Sequence, residues 1–314
     1  MADQEVKPIF PHVIDNSMTV TFRSCPRKFF NSYVLGLTPL GSRIDLVAGA
    51  AFAAGCEAVR RGVFEKGLSV KAALNDLAMP VFMKEWGDAE PHKRSNKSFA
   101  NMWMALEQYF EEHPPLEDPF QPIMINGKCS AECTFSIPLP FKHPVSGEQL
   151  VYGGRFDLLA KYQGETLAIV DEKTTSRFGD TWADQWKIRS QFIGYCYAMQ
   201  QYGYNISMAV VRGICILSRE TKFATAITTY NQNLIDSWYK SLLIDIDRML
   251  NYWQRMEDED FRGYYPAYGD ACTSYGNCQF VPLCTSQNPR AWFSNFGISH
   301  WNPLAKLPIA EDKP

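Results

Sequence analysis

The chain has 314 residues, of which 46% are hydrophobic and 21% are charged, a composition typical of globular proteins rather than disordered ones. Its formal net charge of −3 gives no sign of nucleic-acid binding by bulk charge, so any basic surface must be local. No run approaches the ~20 apolar residues that cross a bilayer, and the N-terminal sequence lacks the pattern of a secretory signal. We therefore expect a cytoplasmic protein without membrane association, in which the nine cysteines are reduced and the regularly spaced ones are candidate metal ligands.

The first third of the chain is predicted to be mainly helical, because its apolar residues recur at helical spacing. The predicted stretches are an extended lead-in at 1–20 and helices at 18–37, at 45–64 and within 69–112, with interruptions near Pro80 and around 88–95.

The pattern then changes to short apolar runs separated by glycine and proline turns, which indicate strands. The predicted stretches are strands within 122–171, a helix at 183–203, strands at 208–217 and 223–230, a long helix at 231–255, and a tail rich in glycine, proline, cysteine and aromatic residues. This order predicts an α/β or α+β core with a central mixed sheet flanked by helices.

The hairpin at 151–178 brings acidic side chains together where two neighbouring strands end or splay apart. Asp157 closes the first strand, and Asp171 and Lys173 follow the apolar run of the second. Mg²⁺ requires fixed oxygen ligands, which the two carboxylates and the Glu172 backbone carbonyl could supply. Lys173 lies two residues after Asp171, on the same face of the strand, where it could orient a water and offset phosphate charge.

The simpler interpretation of this hairpin is that its charged ends are solvated. Two features argue against that interpretation. Asp171 follows four apolar residues that should be interior, and Asp157 follows a strand that contains Gly153 and Gly154. Acidic residues at the ends of buried strands are costly unless they are paired or bound to a metal.

These motifs, in this order, resemble the RecB-like branch of the PD-(D/E)XK nuclease superfamily. That branch has a G-x-(I/F)-D … (V/I)-(V/I)-D-x-K-(T/S) hairpin followed by a Q-x-x-x-Y helix. The matching residues here are 154–157, 169–174 and 191–195, and the match covers most of 45–215. The resemblance implies a restriction-endonuclease-like core with a helical insertion at about 65–115.

The resemblance also implies roles for individual residues. Asp157 and Asp171 would bind Mg²⁺ or Mn²⁺, and Lys173 would be the catalytic lysine. Gln191 and Tyr195 would contact the DNA backbone or brace the site. Further metal ligands would be Glu132, which is otherwise an edge-strand surface charge, and Glu57, which is otherwise a solvated helix residue.

The sequence departs from the family pattern in the first helix of the core. The family commonly has a histidine four residues after a glycine of this helix, and Ala53 occupies that position here. Glu57 lies one turn further along the same helical face and is the obvious substitute. The missing histidine also leaves open a weakened or altered activity.

Four cysteines suit a [4Fe–4S] cluster, which takes four thiolates. Cys272, Cys278 and Cys284 are separated by five residues each, and Cys25 lies in a C-P-x-x-F motif. Zinc is the alternative, although zinc sites favour C-x₂₋₄-C pairs.

This arrangement resembles that of AddB-type and CRISPR-associated iron–sulfur nucleases, which have one N-terminal and three C-terminal cysteines. The C-terminal cysteines of those nucleases are usually spaced C-x₂-C-x₅-C, so the position of Cys272 departs from that pattern. The cluster would clamp the N-terminal segment (1–44) and the C-terminal segment (256–314) around a nuclease core at 45–255.

Basic and aromatic residues near the hairpin are candidate contacts for DNA. Arg177, Lys187 and Arg189 flank the proposed site. Trp182 and Trp186 lie in the same segment and could stack on unpaired bases. Other candidate phosphate contacts are Arg23, Arg27, Lys28, Arg60 and Arg61.

Together these features favour a metal-dependent DNA exonuclease that acts on single strands or DNA ends in recombination or repair, in a bacterium or a virus of bacteria. The chain has no G-x-x-x-x-G-K-(S/T) loop, so any motor activity would come from a helicase or recombination partner. The alternative is a DNA-binding or assembly subunit with a degenerate nuclease site. A zinc-stabilised metabolic enzyme is a third interpretation.

Overall fold

A computed structural model of the chain describes residues 6–41, 44–90, 95–256, 264–273 and 277–304. It confirms the mixed α/β class with a central mixed sheet and flanking helices. Two compact units divide the chain. Unit 1 contains Met1–Gly41, Ser136–Gly154 and Asp236–Ala305, and unit 2 contains Ser42–Phe135, Arg155–Ile235 and Lys306–Pro314. The division into 1–44, 45–255 and 256–314 stays a prediction.

The elements of the first half are mainly helices. They are β1 (Val13–Ile14), α1 (Asn16–Ser24), α2 (Pro26–Phe29), β2 (Leu37–Pro39), α3 (Ile44–Lys66), α4 (Val70–Ala73), α5 (Met79–Trp86) and α6 (Phe99–Glu112), with π-helical turns at Phe30–Val34 and Leu74–Ala78.

The elements that follow are mainly strands. They are β3 (Phe120–Pro122), β4 (Met124–Ile125), β5 (Lys128–Cys129), β6 (Ala131–Lys142), β7 (Gln149–Tyr162), β8 (Thr166–Thr175), α7 (Ser190–Gln201), β9 (Ile206–Ile216), β10 (Thr221–Thr229), α8 (Gln232–Gln254), α9 (Val281–Thr285) and β11 (Phe296–Ile298).

Strands β7 to β10 form the part of the sheet that positions the site. In the described residues a seven-stranded sheet has the order β1-β7-β8-β9-β10, and β3 and β6 also pair with β7. Strands β7 and β8 are antiparallel, β8 and β9 are parallel, and β9 and β10 are antiparallel. The parallel pair requires a crossover connection, which contains α7.

Unit 2 has a large apolar core between its helices and its strands. Helix α3 contributes Phe52 and Val59, and α6 contributes Leu106 and Tyr109, all fully buried. Alanine and glycine in α3 allow α6 to pack closely, since a Cβ at Gly55 would lie 2.5 Å from a methyl group of Leu106. The core fixes α3 and α6 beside β8 and β9.

Unit 1 is rich in aromatic contacts. Phe22 packs edge-on against Phe29, and Tyr265 packs against Phe30 at 4.6 Å between ring centroids. The buried Asp15 caps α1 by accepting a 2.7 Å hydrogen bond from the Met18 amide, a role typical of aspartate at this position.

The structure corrects two predicted helix boundaries. The helix at 18–37 begins earlier, at Asn16, and is broken at Cys25, which is extended, because a residue before proline avoids the helical region. The interruption predicted near Pro80 lies at the π-helical turn Leu74–Ala78, after which α5 begins at Met79 with Pro80 in its first turn. The helix at 183–203 begins only at Ser190, after a short 3₁₀ turn at Asp184–Trp186.

Candidate active site

Asp157 and Asp171 lie inside β7 and β8, where the two strands separate, so the prediction that Asp157 closes its strand is wrong. The antiparallel pairing ends with Leu158 opposite Val170. Asp157, just before Leu158, and Asp171, just after Val170, lie one position beyond this last pair. The Asp157 carboxylate accepts a 2.8 Å hydrogen bond from the backbone amide of Glu172. This contact joins the two strands beyond the last ladder pair.

Lys173 lies beside Asp171, with which it forms an ion pair. The Asp171 side chain is 1% exposed, whereas that of Lys173 is 34% exposed. The ammonium group is 5.9 Å from the centre of the Phe192 ring of α7. The two aspartates and the lysine that the sequence predicted to converge are therefore brought together.

The pKa values of the two aspartates show the cost of this arrangement. Burial raises the pKa of Asp157 well above its usual value, and the neighbouring Asp171 and Glu132 charges raise it further. Burial also raises the pKa of Asp171, although Lys173 opposes the shift. A divalent cation would lower the free-energy cost of keeping both carboxylates buried and ionised, because it supplies a compensating positive charge between their oxygens. The donor set therefore fits a hard cation.

Gln191 and Tyr195 form a hydrogen-bonded brace on α7. The Gln191 side-chain amide donates to the Tyr195 hydroxyl over 2.9 Å, and that hydroxyl donates to the backbone carbonyl of Arg155 over 2.5 Å. Tyr195 is 6% exposed. The geometry favours the bracing role over a contact with the DNA backbone for Tyr195.

Glu132 is fully enclosed and lies in an unusual backbone conformation. Its φ is +53° within β6, a left-handed value that is uncommon for a residue with a Cβ. The side chain is 2% exposed and lies 2.6 Å from Nε of Arg155. The prediction of an edge-strand surface charge is therefore wrong for Glu132, and its role as a metal ligand stays a prediction.

Glu57 lies on α3 and is engaged by a cation of the same helix. Nε of Arg61 donates to it over 3.0 Å, and Arg61 also donates to the Ala131 carbonyl over 3.1 Å. Glu57 is thereby linked to the residue before Glu132. In the described ranges, no three or more His, Cys, Asp or Glu side chains are arranged so that they could hold a metal ion as they stand. The carboxylates instead face Lys173, Arg155 and Arg61.

Glu172 has a function that the sequence did not reveal. Its side chain points away from the aspartates, because neighbours on a strand alternate, and it is buried against Arg60 and Tyr109. Tyr109 donates to it over 2.7 Å, and Arg60 forms an ion pair with it. Although burial opposes ionisation, Arg60 and these hydrogen bonds lower the pKa of Glu172 to about 2.

The network continues from Tyr109 to a second buried ion pair. Arg212 of β9 donates to the Tyr109 hydroxyl over 3.2 Å and binds both oxygens of Asp118, at 2.6 and 2.7 Å. Two arginines balance two carboxylates, so the buried charge is neutralised. Arg60 is 5% exposed, so its prediction as a phosphate contact is wrong. Arg60 and Arg61 are adjacent in the sequence, and their positions on a helix do not by themselves show which of the two side chains is buried.

The segment after Lys173 is packed by a row of aromatic rings. Ring centroids are 4.9 Å apart for Phe178 and Trp182, 5.7 Å for Trp182 and Trp186, and 5.8 Å for Trp186 and Phe192. Gly213 of β9 makes room for the row, since a Cβ there would lie 2.3 Å from Trp182. Trp186 is 6% exposed, so its predicted stacking on bases is wrong.

The three predicted DNA contacts lie at the surface of this segment. Arg177, Lys187 and Arg189 are exposed. Lys187 pairs with Asp184 at 2.6 Å, and the Arg189 guanidinium lies 5.9 Å from the Trp186 ring. Their contact with DNA stays a prediction.

The four candidate cluster cysteines all lie in unit 1. The amide of Tyr268 donates to the Cys25 sulfur over 3.5 Å. Partial burial raises the pKa of the Cys284 thiol, and the thiols of Cys25, Cys278 and Cys272 raise it further. Among the described residues, no three of these thiols are arranged so that they could hold a metal ion as they stand, so the cluster stays a prediction. The remaining cysteines, predicted to be buried apolar residues, are buried.

Comparison with known protein families identifies the superfamily of the chain. The family model of the PD-(D/E)XK nuclease superfamily matches residues 17–285. The chain belongs to this superfamily. Asp157, Asp171, Lys173 and the proposed cysteines Cys25, Cys272, Cys278 and Cys284 all fall within the matched range. Mg²⁺ and Mn²⁺ are the ions that nucleases of the PD-(D/E)XK superfamily typically use.

A solved structure with the same fold matches most of the chain. The crystal structure of a putative exonuclease from Eubacterium rectale is 12% identical, with a TM-score of 0.51, and the match covers 88% of each chain. The crystal structure of SSO0001 is 10% identical over 62% of this chain and 73% of that one, with a TM-score of 0.27. No curated protein matches the chain.

Among the described helices, none combines the length and the apolar character needed to cross a bilayer.

Proposed function

We propose that the protein is a Mg²⁺- or Mn²⁺-dependent DNA exonuclease of the RecB-like branch. The observation that carries this proposal is the convergence of Asp157, Asp171 and Lys173 where β7 and β8 separate. Superfamily membership supports nuclease chemistry, and the neighbour from Eubacterium rectale is itself named as a putative exonuclease. The proposed substrates are single-stranded DNA or DNA ends, and the proposed process is recombination or repair. The proposed location is the cytoplasm.

Each side chain of the site has a proposed role in phosphodiester hydrolysis. Asp157, Asp171 and the Glu172 carbonyl would hold the cation, with Glu132 and Glu57 as further predicted ligands. The bound cation would polarise the phosphate and lower the pKa of water. The Lys173 ammonium, partly exposed beside Asp171, would orient the attacking water and offset the charge that develops on phosphorus. The water oxygen would bond to phosphorus and lose a proton to solvent, while the bond from phosphorus to the leaving sugar oxygen would break and that oxygen would take up a proton from solvent.

A [4Fe–4S] cluster bound by Cys25, Cys272, Cys278 and Cys284 is part of the proposal. The number and spacing of these cysteines and their common location in unit 1 support it. The cluster would be structural, because all four thiols lie in unit 1 and the aspartates lie in unit 2. The chain would obtain any motor activity from a helicase or a recombination protein.

The decisive experiment compares wild type with Lys173→Ala on 5′- and 3′-labelled single- and double-stranded oligonucleotides, with Mg²⁺ and with Mn²⁺. We expect wild type to release nucleotides from an end and Lys173→Ala to lose at least ~100-fold in rate. Lys222→Ala is the matched control, because Lys222 is an exposed lysine paired with Glu220 on β10. Equal rates for wild type and Lys173→Ala would overturn the assignment.

A second candidate function is a DNA-binding subunit with a degenerate nuclease site. Ala53, which stands where the family commonly has histidine, favours it. The same assay separates the two functions. Purified wild type that binds the labelled oligonucleotides but never cuts them with either metal would support the binding function.

A further inference from the structure

We propose that Arg155 is a substrate-binding residue that contacts a DNA phosphate beside the two aspartates, and that Glu132, Glu57 and Tyr195 position it. This inference rests on the proposed nuclease function and names how the same site would hold its substrate. Arg155 follows Gly154 in the hairpin motif and has no assigned role there.

The Arg155 side chain is fixed at one end by Glu132. The two groups form an ion pair with 2.6 Å between Nε and Oε2, in which Glu132 is 2% exposed and Arg155 is 35% exposed. Glu132 reaches this position through a φ of +53°. Left-handed conformations of this kind persist where the surroundings over-determine them, and they cluster at functional sites.

The backbone around Glu132 is held by α3. Arg61 donates to the Ala131 carbonyl over 3.1 Å and is itself held by Glu57 at 3.0 Å. Glu57 and Arg61 are each about one-fifth exposed. Glu57 and Glu132 thus belong to one chain of contacts, linked through Arg61 and the Ala131 carbonyl, that ends at the Arg155 guanidinium.

The backbone of Arg155 is held separately by α7. Its carbonyl accepts the hydrogen bond from Tyr195, which is in turn fixed by Gln191. An arginine fixed at both backbone and side chain loses little conformational entropy when it binds a ligand. The Q-x-x-x-Y helix would therefore act on the substrate through Arg155.

The position of Arg155 suits a phosphate. It lies two residues before Asp157 on β7, so the two side chains share one face of the strand. Its closest approach to Glu132 is through Nε, at the base of the planar fork whose outer nitrogens bind phosphate in pairs. A cation held by Asp157 and Asp171 and a guanidinium on the same face would share the charge of one phosphodiester.

The first test measures DNA binding in a Lys173→Ala background with a fluorescent single-stranded oligonucleotide at several salt concentrations. Arg155→Gln should weaken binding about tenfold and reduce the slope of log affinity against log salt by about one. Arg155→Lys should restore the salt slope and part of the affinity. Arg219→Gln, an exposed arginine in the turn between β9 and β10, is the control and should do neither. An unchanged salt slope in Arg155→Gln would overturn the inference.

The second test separates substrate binding from metal binding. Mn²⁺ affinity is measured by calorimetry without DNA for wild type, Arg155→Gln and Glu132→Gln, together with thermal unfolding. We expect unchanged Mn²⁺ affinity for Arg155→Gln, and in the cleavage assay a raised KM with a smaller change in kcat. Loss of Mn²⁺ binding in Glu132→Gln, with normal DNA binding by Arg155→Gln, would overturn the inference. If wild type never cuts DNA, the proposed function fails, while the salt slope still decides whether Arg155 contacts phosphate.

Discussion

Glu172 separates the two chemically active residues of its strand and faces the opposite side. Because side chains alternate along β8, the contacts that hold Glu172 to Arg60 and Tyr109 also fix the backbone from which Asp171 and Lys173 project. The Tyr109 hydroxyl donates once, to Glu172, and accepts from Arg60 and Arg212. Its hydrogen-bonding capacity is thereby fully used, and networks satisfied in this way make a site rigid.

We expect Glu172→Gln to destabilise the protein by about 3 kcal/mol at pH 7, because it leaves Arg60 buried without its counter-charge. The pKa of Glu172 is lowered to about 2 from an ordinary 4.5. Its ionised form therefore stabilises the fold above pH 4.5, and this contribution is lost as the pH falls toward 2. Urea unfolding of wild type and variant at pH 7 and at pH 3 measures the difference, which should shrink at the lower pH.

The control for this prediction is Glu220→Gln. Glu220 pairs with Lys222, and both side chains are more than half exposed, so its removal should cost less than about 1 kcal/mol. A destabilisation by Glu172→Gln that is no larger than that of the control, or that does not change with pH, would contradict the role given to the buried network.

The sequence predicted the residues of the site better than their partners. Asp157, Asp171 and Lys173 were predictable because they follow apolar runs in a spaced motif. Arg155 and the side chain of Glu172 were not, because their partners Glu132, Arg60 and Tyr109 come from distant parts of the chain. Spacing gives the face on which a side chain lies but not the charge it will meet there.

The segment between β8 and α7 is shaped by one glycine on a neighbouring strand. Phe178 and Trp182 occupy the space above Gly213 of β9. This packing holds the chain between Lys173 and α7, and the row of rings ends at Phe192, over which Lys173 lies. The helix was predicted to begin at 183 because its apolar pattern starts there, whereas tertiary packing of Trp182 and Trp186 keeps the chain irregular until Ser190.

We expect Gly213→Ala to destabilise the protein by about 1–3 kcal/mol and to lower cleavage activity, because the added methyl group would displace Trp182 and Phe178. Gly179→Ala in the same segment is the matched control, since a Cβ there meets nothing within 4 Å and should change stability by less than about 0.5 kcal/mol. Thermal unfolding and the oligonucleotide assay check both variants. Similar behaviour of the two would contradict the packing role of Gly213.

Long elements with a regular apolar pattern were predicted well. Helix α3 was expected at 45–64 and lies at Ile44–Lys66, and α8 was expected at 231–255 and lies at Gln232–Gln254. The helix at 18–37 was not, because Cys25 and Pro26 interrupt a pattern that otherwise continues through them. Local backbone chemistry wins there over periodicity.

At the scale of the whole molecule, each unit has one proposed chemical role. Unit 2 contains the aspartates, Lys173 and Arg155, and unit 1 contains the four cysteines. A cluster that bound only the folded form of unit 1 would stabilise that unit by mass action.

We expect protein purified without oxygen to be brown and to contain iron and sulfide. Cys25→Ser and Cys278→Ser should lose the iron and lower the Tm by several degrees. Cys215→Ala, a buried cysteine of β9 in unit 2, should keep the iron and serves as the control. Elemental analysis and thermal unfolding give both results. A colourless protein that contains zinc would contradict the iron–sulfur assignment and support a zinc site in its place.

The division of the chain between the units has a consequence for synthesis on the ribosome. Both long stretches of unit 2, through Ile235, emerge before the stretch of unit 1 that begins at Asp236. Domains generally fold as units while the chain is being made. The hairpin with Asp157 and Asp171 can thus fold on a nascent chain that already contains Cys25 but in which Cys272, Cys278 and Cys284 have not yet been synthesised. Iron would then be inserted last, and a translation product that stops short of Cys272 would have a folded hairpin and no means of retaining iron.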